Sequence, residues 1–309
     1  MIKTQNDTES KTVVIGIGYL FVLFSCQLNY INRMKIQMKK WKLFLGTALV
    51  SVALLGCAKT NQPFSPEEAE KAQTVTIGYT QFPTNIDPAD EYNGWFTVRY
   101  GVGETLFKMD DQLEPQPWLA EKIEQPSQLE WKITLRNDVT FQNGEKMTGA
   151  KVEASLKRLI EKSKRAADDL GIESIHSDGQ TVTIKTKIEQ PIMKNLLAEP
   201  YSVIVDVDGK AASDKSPVGT GPFLIKTYTP ETGATLEAYE NYWGGKAKVA
   251  QVQIKYFSDP TAISAALQSK EVDAVYGLPY ANLASFKKDS QYKISEKEGG
   301  RYLSYVYNF

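Results

Sequence analysis

The sequence is poor in the two residue types on which most metal centres and many active sites depend. It contains two cysteines and one histidine in 309 residues. Cys26 and Cys57 both end N-terminal apolar stretches, so the remainder of the chain has no disulfide framework. His176 alone supplies neither the ligand shell of a metal nor a network of acid–base groups. We therefore predict no protein-bound metal and no cofactor.

Other arrangements that are typical of enzymes are also missing. The sequence has no Gly-x-Ser-x-Gly elbow, and its carboxylate pairs at 110–111 and 168–169 are adjacent in sequence. Adjacent carboxylates are more typical of solvated turns than of a general acid/base pair. We expect no catalytic residues and no enzyme activity. If the protein carries nickel, the metal must arrive inside a small chelator that provides its own donor atoms.

An excess of charge of one sign is absent as well. The chain has 36 basic and 37 acidic residues, a formal net charge of -1, which argues against nucleic acid as a partner. Its hydrophobic content of 42% and charged content of 24% are typical of globular proteins. The length predicts one large domain or two ordinary ones.

The N-terminus lacks an apolar run long enough to span a membrane, although residues 12–26 and 43–55 come close. The second run follows a basic head at 38–42 and ends in Leu-Leu-Gly-Cys at 54–57. This layout resembles a lipoprotein signal peptide at 38–56, with Cys57 as the lipidated residue. The alternative is a plain signal peptide or anchor with an incidental cysteine.

On this interpretation residues 1–37 are an upstream extension, because a signal core belongs near the start of translation. The alternative is that residues 12–26 form an additional membrane segment. Residues 57–72 are mostly polar and contain Pro63, a composition that is typical of a tether.

Apolar spacing in the rest of the chain predicts an α/β fold of mixed sheets with helices, because strands and helices occur without strict alternation. Thr148 is a candidate cap for a helix that begins just after it. His176 is placed in a polar turn, residues 174–179. Predicted strands include 73–79, 130–135, 181–185, 201–207 and 252–256, and a predicted helix spans 95–107.

Two glycine-containing segments dominate the second half of the chain. Residues 216–225 read Ser-Pro-Val-Gly-Thr-Gly-Pro-Phe-Leu-Ile, and residues 241–245 read Asn-Tyr-Trp-Gly-Gly. Gly219 and Gly221 predict a tight turn with unusual backbone angles. The strand that follows is expected to pair with residues 235–239.

These two segments, in this order, resemble family 5 extracytoplasmic solute-binding proteins, the peptide- and nickel-type receptors of ABC importers. Further segments match that family in order: 82–88, 104–107, 117–120 and 141–148. Lys151 and Lys270 depart from it, since an acidic residue and a glycine are common at these positions. The resemblance implies a type II (cluster C) periplasmic-binding-protein-like fold, with lobe I at 73–299 and a hinge strand at 300–309 that enters a largely missing second lobe.

The resemblance also implies the function. We expect a lipid-anchored, extracytoplasmic, monomeric receptor that captures an oligopeptide or a nickel or other metal chelate between two lobes. It then delivers the ligand to the ABC permease in the membrane. The alternative is a ligand-free structural or chaperone-like surface lipoprotein on the same fold.

The candidate ligand-binding residues follow from the same resemblance. Aromatic walls with a few polar anchors are typical of small-ligand sites, and arginine pairs well with carboxylates. The alternatives are that Phe96 packs in the core and that Arg165 is a solvated charge. The candidates are Tyr92, Trp95, Phe96, Arg99, Arg165 and Tyr201.

Overall fold

A computed structural model describes residues 12–17, 74–90, 92–208 and 216–297. The predicted signal peptide, Cys57, the tether and the predicted hinge strand at 300–309 lie outside these residues. Most of the predicted upstream extension lies outside them too.

The described part of the chain forms two main sheets and a small ribbon. Its strands are β1 (Thr12–Ile17), β2 (Thr74–Tyr79), β3 (Phe107–Met109), β4 (Pro115–Pro117), β5 (Ala120–Ser127), β6 (Glu130–Leu135), β7 (Ile172–Asp178), β8 (Thr181–Thr186), β9 (Phe223–Thr229), β10 (Gly233–Ala238), β11 (Gln251–Tyr256), β12 (Ala274–Tyr276) and β13 (Tyr292–Lys297). Its helices are α1 (Gly94–Arg99), α2 (Gly149–Lys162), α3 (Lys164–Leu170), α4 (Met193–Leu196), α5 (Pro260–Gln268) and α6 (Tyr280–Lys287), with a 3-10 turn at Pro200–Ser202.

The larger sheet is mixed and has the strand order β13-β1-β12-β2-β11-β10-β9. Its centre is parallel, with β2 between β11 and β12. Val75 and Ile77 of β2 are buried in register with Val252 and Ile254 of β11. Strand β1, from the predicted upstream extension, pairs antiparallel with both β12 and β13.

The smaller sheet is antiparallel, with the order β5-β6-β8-β7, and α2 packs against it. Thr148 caps α2 as predicted, since its side chain accepts a hydrogen bond from the Lys151 amide. Val152, Leu156 and Leu159 form the buried face of this helix. Trp131, Ile133 and Leu135 face them from β6, with the alternation that the sequence predicted.

The mixed α/β fold is confirmed, but several local predictions are wrong. The predicted helix at 95–107 ends at Arg99, because Gly101 turns the chain with φ +68°. Residues 201–207 form a 3-10 turn and a single bridge at Ile204 instead of a strand. His176 lies in β7 rather than in a turn, and Asp168-Asp169 lie in α3.

The main chain of the glycine turn (residues 216–222) is in direct contact with the main chain of the central strip (residues 101–104). Gly221 donates to the Val102 carbonyl at 3.1 Å, and Phe223 donates to the Gly101 carbonyl at 2.9 Å. A Cβ added at Gly219 would lie 2.1 Å from the Val102 oxygen, and one at Gly221 would lie 2.3 Å from the Gly101 oxygen. Neither glycine has a positive φ. The prediction of unusual backbone angles is therefore wrong, and close approach is what requires glycine here.

We expect Gly221→Ala to destabilise the protein by about 3 kcal/mol or more, because neither main-chain segment can move away without breaking hydrogen bonds. Gly144→Ala is the control: Gly144 has φ +87° and no atom within 4 Å of an added Cβ, so only backbone strain of about 1 kcal/mol arises. Denaturant unfolding of both variants tests this. Equal losses at the two positions would contradict it.

Candidate functional site

Helix α1 presents one half-exposed face beside a buried one. Gly94 and Thr97 form the buried face, and the Thr97 hydroxyl donates to the Ile86 carbonyl at 3.0 Å. A Cβ added at Gly94 would lie 2.2 Å from the Pro200 oxygen, so the helix is pressed onto the 3-10 turn that carries Tyr201. This packing leaves Trp95, Phe96 and Arg99 partly exposed.

Four of the six candidates meet in the Arg165 cluster (Tyr92, Trp95, Arg165 and Tyr201). The Arg165 guanidinium carbon is 5.5 Å from the ring centres of Tyr92 and Trp95, and 5.2 Å from that of Tyr201. These distances are typical of cation–π contacts, each worth about 0.5–1 kcal/mol at exposed sites. Tyr92 is 64% exposed, whereas Tyr201 is buried. Tyr201 therefore supports Arg165 from behind, and Tyr92 offers the open wall.

Two carboxylates adjoin the Arg165 cluster. Arg165 Nε is 3.5 Å from Asp169 Oδ2, one turn later in α3. Glu199 lies just before the 3-10 turn, and burial raises its pKa while the Arg165 charge opposes that rise. Burial, together with the charges of Asp169 and Glu199, raises the pKa of Tyr201. The cluster thus offers one cation, partly balanced by acids, among aromatic walls.

The other two candidates, Phe96 and Arg99, belong to a second group, the Arg99 cluster, with Tyr79 and Tyr276. The Arg99 guanidinium carbon is 4.8 Å from the Tyr276 ring centre and 5.7 Å from that of Phe96. Tyr276 stacks on Tyr79, with ring centres 5.3 Å apart. Tyr79 and Tyr276 end the neighbouring parallel strands β2 and β12, the edge at which α/β sheets commonly bind ligands.

The loop that leads into α1 is anchored by a buried carboxylate, Asp87. Asp87 is 2% exposed and accepts two hydrogen bonds from Arg158, at 3.0 and 2.5 Å, and one from Lys162. Burial alone would raise its pKa, but these bonds outweigh burial and lower it. Asp87 thereby joins the loop before Tyr92 to the last two turns of α2.

A second buried carboxylate, Glu104, joins the two glycine-containing segments. It is 1% exposed, and its Oε2 accepts from Thr220 Oγ1 and Trp243 Nε1, both at 2.8 Å. Its Oε1 accepts from the Tyr242 hydroxyl at 2.6 Å. Burial raises the pKa of Glu104 to about 7, although the three hydrogen bonds lower it.

Sequence reasoning missed Asp87, Glu104 and Tyr276 as organising residues. Asp87 and Glu104 lie inside segments that the sequence analysis compared with a family, but nothing in their neighbours signals burial. Their partners are far away in the chain, such as Trp243 for Glu104. The roles of Asp87 and Glu104 become visible only in the tertiary structure, where segments that are distant in sequence come into contact.

Within residues 12–17, 74–90, 92–208 and 216–297, no group of three or more His, Cys, Asp or Glu side chains is arranged to hold a metal ion. In the same part of the chain, no helix has both the length and the apolar character needed to cross a membrane.

Comparison with known proteins identifies the class. The family model of bacterial extracellular solute-binding proteins, family 5, matches residues 114–309. The nickel-binding protein NikA of Staphylococcus aureus is 33% identical over 211 residues, which covers 68% of this chain and 43% of NikA. A putative ABC transporter peptide-binding protein of Brucella ovis is 29% identical over 278 residues, which covers 84% of this chain and 51% of that protein.

The crystal structure of S. aureus NikA in complex with Ni(L-His)2 superposes with a TM-score of 0.67 at 31% identity, covering 71% of this chain and 46% of that one. The chain therefore belongs to the family 5 bacterial extracellular solute-binding proteins and has their type II periplasmic-binding-protein fold. It spans about half the length of the curated relatives it matches. Members of this family are substrate-binding proteins of ABC transporters rather than enzymes.

We expect Asp87→Asn to destabilise the protein by about 3 kcal/mol at neutral pH, because it leaves two cations facing a neutral amide in a buried site. The lowered pKa means that this stability is present above the unfolded value near 4 and is lost as pH falls through the folded value. The gap between the two proteins should therefore close in acid. Thermal unfolding across pH measures it.

Asp168→Asn is the matched control, because Asp168 is 67% exposed and forms an ion pair with the exposed Lys164. Such surface pairs contribute about 0–1 kcal/mol. A loss at Asp87 no greater than the loss at Asp168 would show that Asp87 does not anchor the loop.

Proposed function

We propose that this chain provides a ligand-binding wall of an extracytoplasmic receptor for an ABC importer, with a carboxylate-bearing oligopeptide or metal chelate as its ligand. The observation that carries the proposal is the Arg165 guanidinium held among three aromatic rings on a half-exposed surface. Arginine pairs with carboxylates through a planar fork, and aromatic walls exclude water around that pair. Delivery to a membrane permease completes the role.

The acids beside Arg165 bear on the choice of ligand. Asp169 and Glu199 both interact with Arg165, so part of its charge is balanced before any ligand arrives. A ligand with one carboxylate at this point suits the cluster better than one with several. Family membership supports either class, since relatives include a nickel-binding and a putative peptide-binding protein.

Calorimetric titration with Ni(L-His)2 and with short peptides tests the ligand class. We expect Arg165→Ala and Trp95→Ala each to weaken binding by about 2 kcal/mol, as for a hot-spot residue in a desolvated contact. Lys164→Ala and Tyr280→Ala are controls for charge and for aromatic area, because both side chains are largely exposed and lie outside the cluster. These two variants should bind like the wild type.

Amidation of a peptide ligand provides a control in which the ligand is changed instead of the protein. If Arg165 pairs with the terminal carboxylate, amidation should weaken binding to the wild type but have little further effect on Arg165→Ala. If amidation weakens binding equally in the wild type and in Arg165→Ala, the terminal carboxylate of the peptide does not pair with Arg165. Wild-type affinity in both Arg165→Ala and Trp95→Ala would reject the Arg165 cluster as a ligand site.

We also propose that Cys57 is lipidated and holds the protein on the outer face of the cell membrane. The support is the sequence at 38–57, with its basic head, apolar core and Leu-Leu-Gly-Cys exit. Cys57→Ser should release the protein into the soluble fraction, because stable anchoring takes at least two acyl chains on the cysteine. Cys26→Ser is the matched control. Membrane retention of Cys57→Ser with an unchanged N-terminal mass would contradict the proposal.

A further inference from the structure

Both glycine-containing segments donate side-chain hydrogen bonds to Glu104. Thr220 comes from the glycine turn, and Tyr242 and Trp243 come from the aromatic turn (residues 241–245). All three donate to one carboxylate, which is 1% exposed. A buried carboxylate with three donors ties its donors together, because each donor would lose its partner if the carboxylate left.

The backbone of Glu104 is joined in turn to the Arg165 cluster. Ile204 N–H donates to the Glu104 carbonyl at 2.9 Å, in an antiparallel bridge. Tyr201 lies one short turn before Ile204, and α1 ends shortly before the central strip that contains Glu104. A shift of Glu104 would therefore reach Trp95 through α1 and Tyr201 through the bridge.

We propose that Glu104 is a positioning residue for ligand binding: its ionised carboxylate fixes the central strip against both turns and so sets the geometry of the Arg165 cluster. The proposal rests on the ligand-binding role of that cluster. It adds that affinity depends on the charge of a residue that does not touch the ligand.

The chemistry of the three donors determines how protonation of Glu104 changes these hydrogen bonds. The ionised carboxylate accepts all three bonds, whereas a protonated one has an oxygen that must donate. Trp243 Nε1 can only donate, whereas the Thr220 and Tyr242 hydroxyls can each accept, so a protonated Glu104 must reverse one of these two hydroxyl bonds. Protonation thus reverses a bond to one of the two turns and weakens the others, because charge-assisted hydrogen bonds are the stronger ones.

The charged groups around Glu104 favour its ionised form, and burial opposes it. Lys108 from β3 and Arg136, which follows β6, are the cations that interact with it, and Asp138 balances Arg136 through a 2.7 Å ion pair. Burial prevails and raises the pKa of Glu104 to about 7.

Stability and affinity should consequently respond to pH in opposite directions. A carboxyl whose folded pKa is raised stabilises the fold below its unfolded value, and this stability is lost as pH rises through about 7. Ligand affinity should instead rise with pH, because ionised Glu104 positions the cluster. A residue that only supported the fold would make affinity follow stability.

The test compares wild type with Glu104→Gln, which keeps the shape and stays neutral. From about pH 8 to about pH 6, the wild-type Kd for Ni(L-His)2 or a short peptide, whichever the titrations above show to bind, should rise about threefold more than the Kd of Glu104→Gln, so that the two proteins bind alike in acid. The melting temperature of wild type, relative to Glu104→Gln, should fall from about pH 6 to about pH 8. Identical pH profiles of Kd would overturn the proposal.

A readout without ligand separates this proposal from the proposed function. In 5-fluorotryptophan-labelled protein, the 19F resonance of Trp95, assigned with Trp95→Phe, should titrate near pH 7 in wild type and not in Glu104→Gln. Thr220→Val, which keeps Glu104 but removes one donor to its charged form, should move that midpoint to higher pH. If no ligand binds but Trp95 titrates in this way, only the proposed function fails; a Trp95 signal that does not titrate in wild type overturns the role of Glu104.

Discussion

The close contact between main-chain segments along the central strip is the constraint on which the rest of the site depends. The glycine turn lies on one side of residues 101–104, and Val203 and Ile204 lie on the other. A Cβ added at Gly103 would lie 2.4 Å from a Val203 methyl carbon. Hydrogen bonds between main chains fix the spacing of these segments, together with the Gln142 side chain that donates to the Val102 and Gly221 carbonyls and the Val203 methyl packed on Gly103. Helix α1 and the 3-10 turn are therefore held in one relative position.

Two buried carboxylates maintain this arrangement in opposite electrostatic ways. Asp87 is matched by two cations from α2, which hold its pKa below the usual range in spite of burial. Glu104 is matched by neutral donors, so burial prevails and its pKa rises. Asp87 therefore acts as a fixed charge that anchors a loop, whereas Glu104 can change its charge near neutral pH. The difference lies in the partners, since both side chains are almost fully buried.

The regular elements with clear apolar spacing were predictable, and the irregular ones were not. Strand β6 and the Thr148 cap of α2 match their predictions because alternation and capping are local properties. Helix α1 is shorter than predicted because residues beyond Arg99 pair with the glycine turn, which lies more than a hundred residues away. Lys270, where the family often has glycine, has φ +64°, a left-handed conformation that glycine adopts more readily than lysine.

The sequence by itself determined the class of the protein and the mixed α/β fold, because motifs, composition and periodicity are all read along the chain. It also supplied all six candidates, but without their grouping. Only the tertiary structure decided that Tyr92, Trp95 and Tyr201 surround Arg165 while Phe96 joins Arg99 beside Tyr276. It alone gave Glu104 its partners. The physical reason is that a buried hydrogen bond between distant segments depends on how those segments pack. No local sequence pattern encodes the distance between them in the fold.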